Sequence, residues 1–322
     1  ANGAITKAGA STLTLTAANT YTGGTTVSAG TLLLGASERI DNRGTLAALG
    51  GTFDLGGYTE TVAVVTVDGG TIANGTLIGS NYANTSNVYA LKSGAVSAVL
   101  GEMNSGVQKQ SANKTTAGTL ILSGAANSWN GTTTVSGGTL TLSGSLTTNN
   151  SVSLSSNSTL NITGNLTKLT NGSFTLGQTT GQTDTINVSG SGILNAGAGM
   201  TLGNVNVGTG ILNITGGTVT TGGTIELSGN NSTLNVSGGS LNSGAAPVLD
   251  LGGRTGSSAT LSINGTGSVT TAWLRLGQFG GAGTTGVINL GDGNLGGNLI
   301  VNNDIAIKNG AALTMNFNGG TL

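Results

Sequence analysis

The sequence predicts an all-β fold, a right-handed parallel β-helix (β-solenoid) with about three short strands per coil. Three observations carry this expectation. One short phrase returns six times between Leu160 and Asn289 at a nearly fixed interval, and a second alternating phrase follows each of its first five copies. Glycine supplies 60 of the 322 residues, far above an average near 7%.

The first phrase reads Leu160-Asn161-Ile162-Thr163-Gly164, Ile186-Asn187-Val188-Ser189-Gly190, Leu212-Asn213-Ile214-Thr215-Gly216, Leu234-Asn235-Val236-Ser237-Gly238, Leu261-Ser262-Ile263-Asn264-Gly265 and Ile288-Asn289-Leu290-Gly291. Successive copies begin 26, 26, 22, 27 and 27 positions apart. The second phrase reads Phe174-Thr175-Leu176, Met200-Thr201-Leu202, Ile225-Glu226-Leu227, Leu249-Asp250-Leu251 and Leu274-Arg275-Leu276. Strict apolar and polar alternation makes each phrase a strand with one buried face. A weaker apolar step between them, such as Gly217-Thr218-Val219, supplies the third strand of a coil. Each strand is then expected to pair with its counterpart one coil away, at about 4.8 Å. Ile162, Leu176, Val188, Leu202, Ile214, Leu227, Val236, Leu251, Ile263 and Leu276 face inward, and the polar residues between them face solvent.

Glycine suits a chain that must turn sharply several times per coil. Disorder is excluded by aliphatics that recur in register and by a mean hydropathy of +0.16. Ten basic and eleven acidic residues leave a net charge of −1 without a basic run, so nucleic acid is not an expected partner. No run of 18 apolar residues is present, and no membrane insertion by this segment is expected. Cysteine and histidine are both absent. That removes disulfides, thiolate and imidazole metal sites, and the Ser-His-Asp and Cys-His nucleophiles.

The N-terminal part holds a different repeat, seen twice. Lys7-Ala8-Gly9-Ala10-Ser11-Thr12-Leu13-Thr14-Leu15 leads into Asn19-Thr20-Tyr21-Thr22-Gly23-Gly24-Thr25 and then Gly30-Thr31-Leu32. The second copy runs from Lys114 through Gly118-Thr119-Leu120-Ile121-Leu122 and Asn127-Ser128-Trp129-Asn130-Gly131-Thr132 to Gly138-Thr139-Leu140, with Trp129 in the place of Tyr21. This pattern resembles the passenger-associated repeat of bacterial autotransporters, and the six-fold phrase is similar to a related repeat of large secreted bacterial proteins. The resemblance implies a β-helical segment of a bacterial cell-surface or secreted protein, extracellular and anchored through an outer-membrane parent. It implies no particular activity.

The chain is read as one continuous β-helix over residues 1–322, part of a longer parent chain. Residues 1–145 hold the passenger-associated repeats, with a looped insert near 80–113, and residues 146–322 hold regular coils of about 25 residues. Within the insert, Val96-Ser97-Ala98-Val99-Leu100-Gly101-Glu102-Met103 is compatible with a helical turn. No polar cap is written at either end, so further coils of the same chain, or copies of it stacked end to end, are the expected partners.

Aligning the second phrase coil on coil places Thr175, Thr201, Glu226, Asp250 and Arg275 in one outward column. Glu226 and Asp250 then lie one rung apart, near the carboxyl separation of retaining glycosidases, and Trp273 on the strand of Arg275 offers a ring to a sugar. These four residues, Glu226, Asp250, Trp273 and Arg275, are the candidate carbohydrate contact. The competing account is a solvated charge ladder in which Arg275 neutralises Asp250, and it is favoured because strand charges must face outward in any case. No catalytic residue, cofactor or metal site is assigned. Gly291-Asp292-Gly293-Asn294-Leu295-Gly296-Gly297 has the look of a calcium-binding glycine-rich repeat but holds one Asp and does not recur. Asn161, Asn187, Asn213, Asn235 and Asn289, with Ser262 as the exception, form a second column whose amides can bond along the axis. The functional expectation is therefore a non-enzymatic structural or adhesive segment, acting as stalk or fibre. Alternatives are a self-assembling filament subunit and a protein that binds or cleaves polysaccharide, with surface glycans or a host matrix as further partners.

Overall fold

The computed structural model describes residues 3–80, 88–103, 109–169, 172–204, 208–244, 247–278, 282–293, 296–308 and 310–322. Those residues form strands and turns without a helix, and contacts divide the chain into two units, Ala1–Asn149 and Asn150–Leu322. Both are stacks of parallel strands, and the architecture is a β-solenoid.

In the second unit a coil consists of three short strands. Thr183–Val188, Ile193–Asn195 and Met200–Leu202 make one, and Thr209–Ile214, Thr218–Thr220 and Ile225–Leu227 make the next. Pairing is residue on residue, so period-two alternation sends the same parity inward in every coil. The result is one apolar column per face. Ile162, Val188, Ile214, Val236, Ile263 and Leu290 succeed one another in register on the first face. Leu166, Leu194, Val219, Leu241, Val269 and Leu299 do so on the second, and Leu176, Leu202, Leu227, Leu251 and Leu276 on the third. All of these side chains are buried, each contributing about 1.5–3 kcal/mol of apolar transfer free energy.

The third strand is followed in four coils by Gly177, Gly203, Gly252 and Gly277, with φ of 72°, 77°, 71° and 71°. A left-handed conformation at this corner turns the chain out of the strand, and only glycine adopts it without penalty. Space is also short there: a Cβ on Gly203 would stand 2.5 Å from the Gly229 Cα.

The first unit has shorter coils at both its ends, 20 residues from Ile5 to Thr25 and from Thr119 to Thr139. Leu32, Phe53, Ile72, Val96, Leu122 and Leu142 form its continuous column, and Thr59–Val62, Thr76–Gly79 and Val99–Glu102 make a small separate sheet. The helical turn with which Val96–Met103 is also compatible is not formed. Val88–Val96 and Val99–Glu102 are strands, because their apolar residues pair with Ile72 and Leu77 of the neighbouring coil and that pairing decides between two readings of a short apolar run. The looped insert near 80–113 falls partly on residues 81–87 and 104–108, which lie outside the described residues; the rest of it, from Val88 to Glu102 and from Ser111, is largely strand.

Candidate functional site

The outward column of the third face forms as aligned. Thr175 lies in register with Thr201, Thr201 with Glu226, Glu226 with Asp250, and Asp250 with Arg275. Its members are not freely solvated, however. Thr175, Thr201, Glu226 and Arg275 are half-buried, and Asp250 is fully buried, against the expectation that these polar positions face solvent. Residues that follow the glycine corner contact the column. Arg254, in the loop after Gly252, reaches back to Glu226, with Nε 3.3 Å from Oε1. The Gln278 backbone N–H, just after Gly277, donates to Asp250 Oδ1 at 3.5 Å.

The expected neutralisation of Asp250 by Arg275 is likewise corrected. Among the described residues Asp250 has no ion pair, and the Arg275 guanidinium instead lies over the Trp273 ring, 5.3 Å from its centroid. An arginine spread on an indole gains a cation–π contact and gives up reach toward the strand below. Burial therefore dominates at Asp250 and pushes its carboxyl up to about 6. The nearby Glu226 carboxylate adds to the rise, while the Gln278 N–H and Arg275 oppose it. Glu226 also borders a small cavity of about 270 Å³ with Ser173, Gly199, Thr201 and Thr224. Its own side chain is only 13% exposed, so neither carboxylate offers an open face. With Arg275 on its ring, Trp273 has one side occupied.

The amide column is a hydrogen-bonded ladder. Asn187 Nδ2 donates to Asn161 Oδ1 at 2.8 Å, Asn213 to Asn187 at 2.9 Å and Asn235 to Asn213 at 2.8 Å. Past Ser262, Asn289 donates to the Ser262 Oγ at 3.3 Å, and Asn316 donates to Asn289 at 2.8 Å. Asn316, in the phrase Met315-Asn316-Phe317, was not anticipated; the register of Asn289 with Asn316 places it on the column. A shallow groove of about 640 Å³ follows the ladder, lined by Asn187, Asn213, Asn235 and Ser262 and by Ser189, Thr215, Ser237 and Asn264. None of these side chains carries charge.

Residues of the N-terminal repeat have defined structural tasks. Tyr21 forms a hydroxyl hydrogen bond with Thr25 Oγ1 at 2.7 Å, and the substituted Trp129 keeps the same link by donating Nε1–H to Thr133 Oγ1 at 2.9 Å. Trp129 is fully buried, its ring centroid 5.9 Å from that of Tyr89. The lysines that open the two copies point inward. Lys7 stands in register with Val27 and Lys114 with Val135, and both are buried. Lys114 donates Nζ–H bonds to Thr116 O, without leaving its own turn, and to Gly137 O of the next coil at 2.8 Å; Lys7 does the same to Gly9 O and, at 3.2 Å, to Ala29 O. Burial lowers the Lys114 pKa, as it does that of Lys168, which donates to Leu169 O at 3.3 Å. A further buried carboxylate, Glu60, accepts the Arg39 N–H at 2.7 Å and the Ile40 N–H at 3.1 Å, and burial pushes it up to about 7. Sequence reasoning missed these groups, although Lys7 and Lys114 do sit two residues after Ile5 and Ala112, at inward parity.

Of the glycine-rich stretch Gly291–Gly297, Asn294 and Leu295 lie outside the described residues. Among the described residues no group of three or more His, Cys, Asp or Glu side chains is placed to hold a metal ion.

The family described as the passenger-associated-transport-repeat matches residues 5–34 and again residues 113–142. Each match spans two stacked coils, the strands at Ile5–Lys7 and Thr12–Leu15 pairing with those at Thr25–Val27 and Thr31–Leu34 in the first copy. No curated protein and no solved structure matches the chain.

Proposed function

From two passenger-associated transport repeats set in a parallel β-solenoid, we propose that the chain is a structural stalk segment of a bacterial autotransporter passenger, carried outside the cell and without catalytic activity of its own. The supporting observation is how completely the regular outward columns are used within the chain. Asn amides bond to one another coil after coil, Glu226 is held by Arg254 and Arg275 lies on Trp273. A segment with its polar side chains committed in this way transmits length and stiffness, and its contacts with other surfaces fall to the corner loops. Its nearest partners on this reading are neighbouring coils.

The absence of cysteine provides the test. Ser191 is exposed at a turn, so Ser191→Cys introduces a single thiol without entering a strand. On intact cells that display the parent protein, a membrane-impermeant maleimide is expected to label this position. Labelling only after lysis would overturn the extracellular assignment, and turnover of a polysaccharide by the purified segment would overturn the non-enzymatic one.

A further inference from the structure

Asp250 departs from the rest of its column. Its side chain is closed off from solvent, and Oδ2 has no hydrogen-bond partner among the described residues. Oδ1 has only the Gln278 N–H, at 3.5 Å and thus at the limit of a hydrogen bond. Gln278 shows the same defect, since its side-chain Oε1 is also buried and without a partner among the described residues. Two buried acceptors on residues joined by one backbone contact call for a donor, because folded proteins leave few such groups without a partner.

The charged neighbours do not supply it. Glu226, one rung to one side, is held by Arg254 at 3.3 Å. Arg275, one rung to the other, lies over Trp273, and Asp304, in register with Trp273, is exposed. A divalent cation of the calcium type takes six to eight oxygens, and the side chains of Glu226, Asp250 and Gln278 provide fewer. A proton needs no coordination shell and turns one of the two acceptors into the donor for the other.

We propose that Asp250 is a proton-binding latch: Oδ2 takes up a proton from solvent and donates it to Gln278 Oε1, fastening Gln278 to the strand Val248–Leu251 in mildly acidic surroundings and releasing it at neutral pH. No other bond changes, and the cluster gains one positive charge. Burial acts in the same direction by holding the Asp250 carboxyl near 6. For a carboxyl raised on folding, the stabilisation is full below the ordinary carboxylate range near 4 and is lost as pH rises through about 6.

The test follows the Asp250 carboxyl by NMR titration and the unfolding of the chain between pH 4 and 7.5. A Glu60→Gln background removes the other upward-titrating carboxylate. Asp250 is expected to titrate near pH 6, and the folding constant to fall about a hundredfold across that window, the equivalent of a two-unit shift. Asp250→Asn, whose amide donates permanently, should hold the acid-level stability at both ends of the range. Gln278→Met removes the acceptor and should move the titration down toward the ordinary range. Titration of wild-type Asp250 near pH 4 would overturn the proposal in favour of an ionised, water-bridged carboxylate. A melting temperature raised by millimolar calcium in wild type but not in Asp250→Asn would overturn it in favour of a cation. Should Asp250→Asn fail to fold, the wild-type titration still decides.

Discussion

Replacing Leu227 by Ala probes the packing of the third face most directly. Leu227 is fully buried between Leu202 and Leu251, one rung away on either side. Those neighbours are pinned by their own backbone ladders, so the column cannot close along the axis to fill the space. Removing the side chain forfeits about 2 kcal/mol of transfer free energy, and the cavity left in a stack that relaxes little adds between about 1 and 2 kcal/mol. The expected loss is therefore about 3–4 kcal/mol. Leu227→Asp should exceed it, because a charge would enter the dry column without a partner. The assay is urea unfolding followed through Trp273, which lies in the same unit, in a Trp129→Phe background shared by all variants. Because each coil touches only its neighbours, the transition of the variant should also broaden or divide. A loss below about 1 kcal/mol would refute the argument, since it would mean that the column collapses around the gap.

Asn213→Ala removes both the bond donated to Asn187 and the one accepted from Asn235, and should lower stability by about 1–2 kcal/mol in the same assay. Asn213→Asp keeps the acceptor for Asn235 but sets a carboxylate against Asn187 Oδ1, so it should be more damaging at pH 7 than at pH 3, where the carboxyl carries a proton to donate. Glu60→Gln addresses pH dependence in the first unit. Glu60 is raised to about 7 on folding, so its stabilising contribution is full below about 4 and declines as pH rises toward 7. Thermal unfolding from pH 4 to 8 should show that decline in the wild type and a flatter profile in the variant.

The inward columns were legible in the sequence because two periods coincide. Alternation fixes which parity is buried, and the 22- to 27-residue interval fixes which residues stack, so Ile162, Val188 and Ile214 could be placed without coordinates. The amide ladder was legible for the same reason as far as Asn289. What failed depends on chain outside the strands. Asp250 has the parity of a solvent-facing residue, yet it is buried, with the Gln278 N–H from beyond the strand set against its carboxyl. Arg254 lies in such a loop, where periodicity says nothing, and so the partner of Glu226 was missed while Arg275 was given a task it does not perform. Lys7 and Lys114 were hidden by their charge, since an ammonium is read as solvated unless backbone carbonyls are known to surround it.

The glycine corner has a consequence for how such a chain changes over time. Between Leu212 and Leu234 lie 22 positions and between Leu234 and Leu261 lie 27, yet both pairs stand in register. The molecule thus counts rungs rather than residues. Insertions and deletions at the corner leave the stack unshifted, because a surplus of chain is shed sideways as a longer loop such as Gly252–Ser257. That corner is where a lineage could vary its surface, or an engineer graft a peptide, without renegotiating the core.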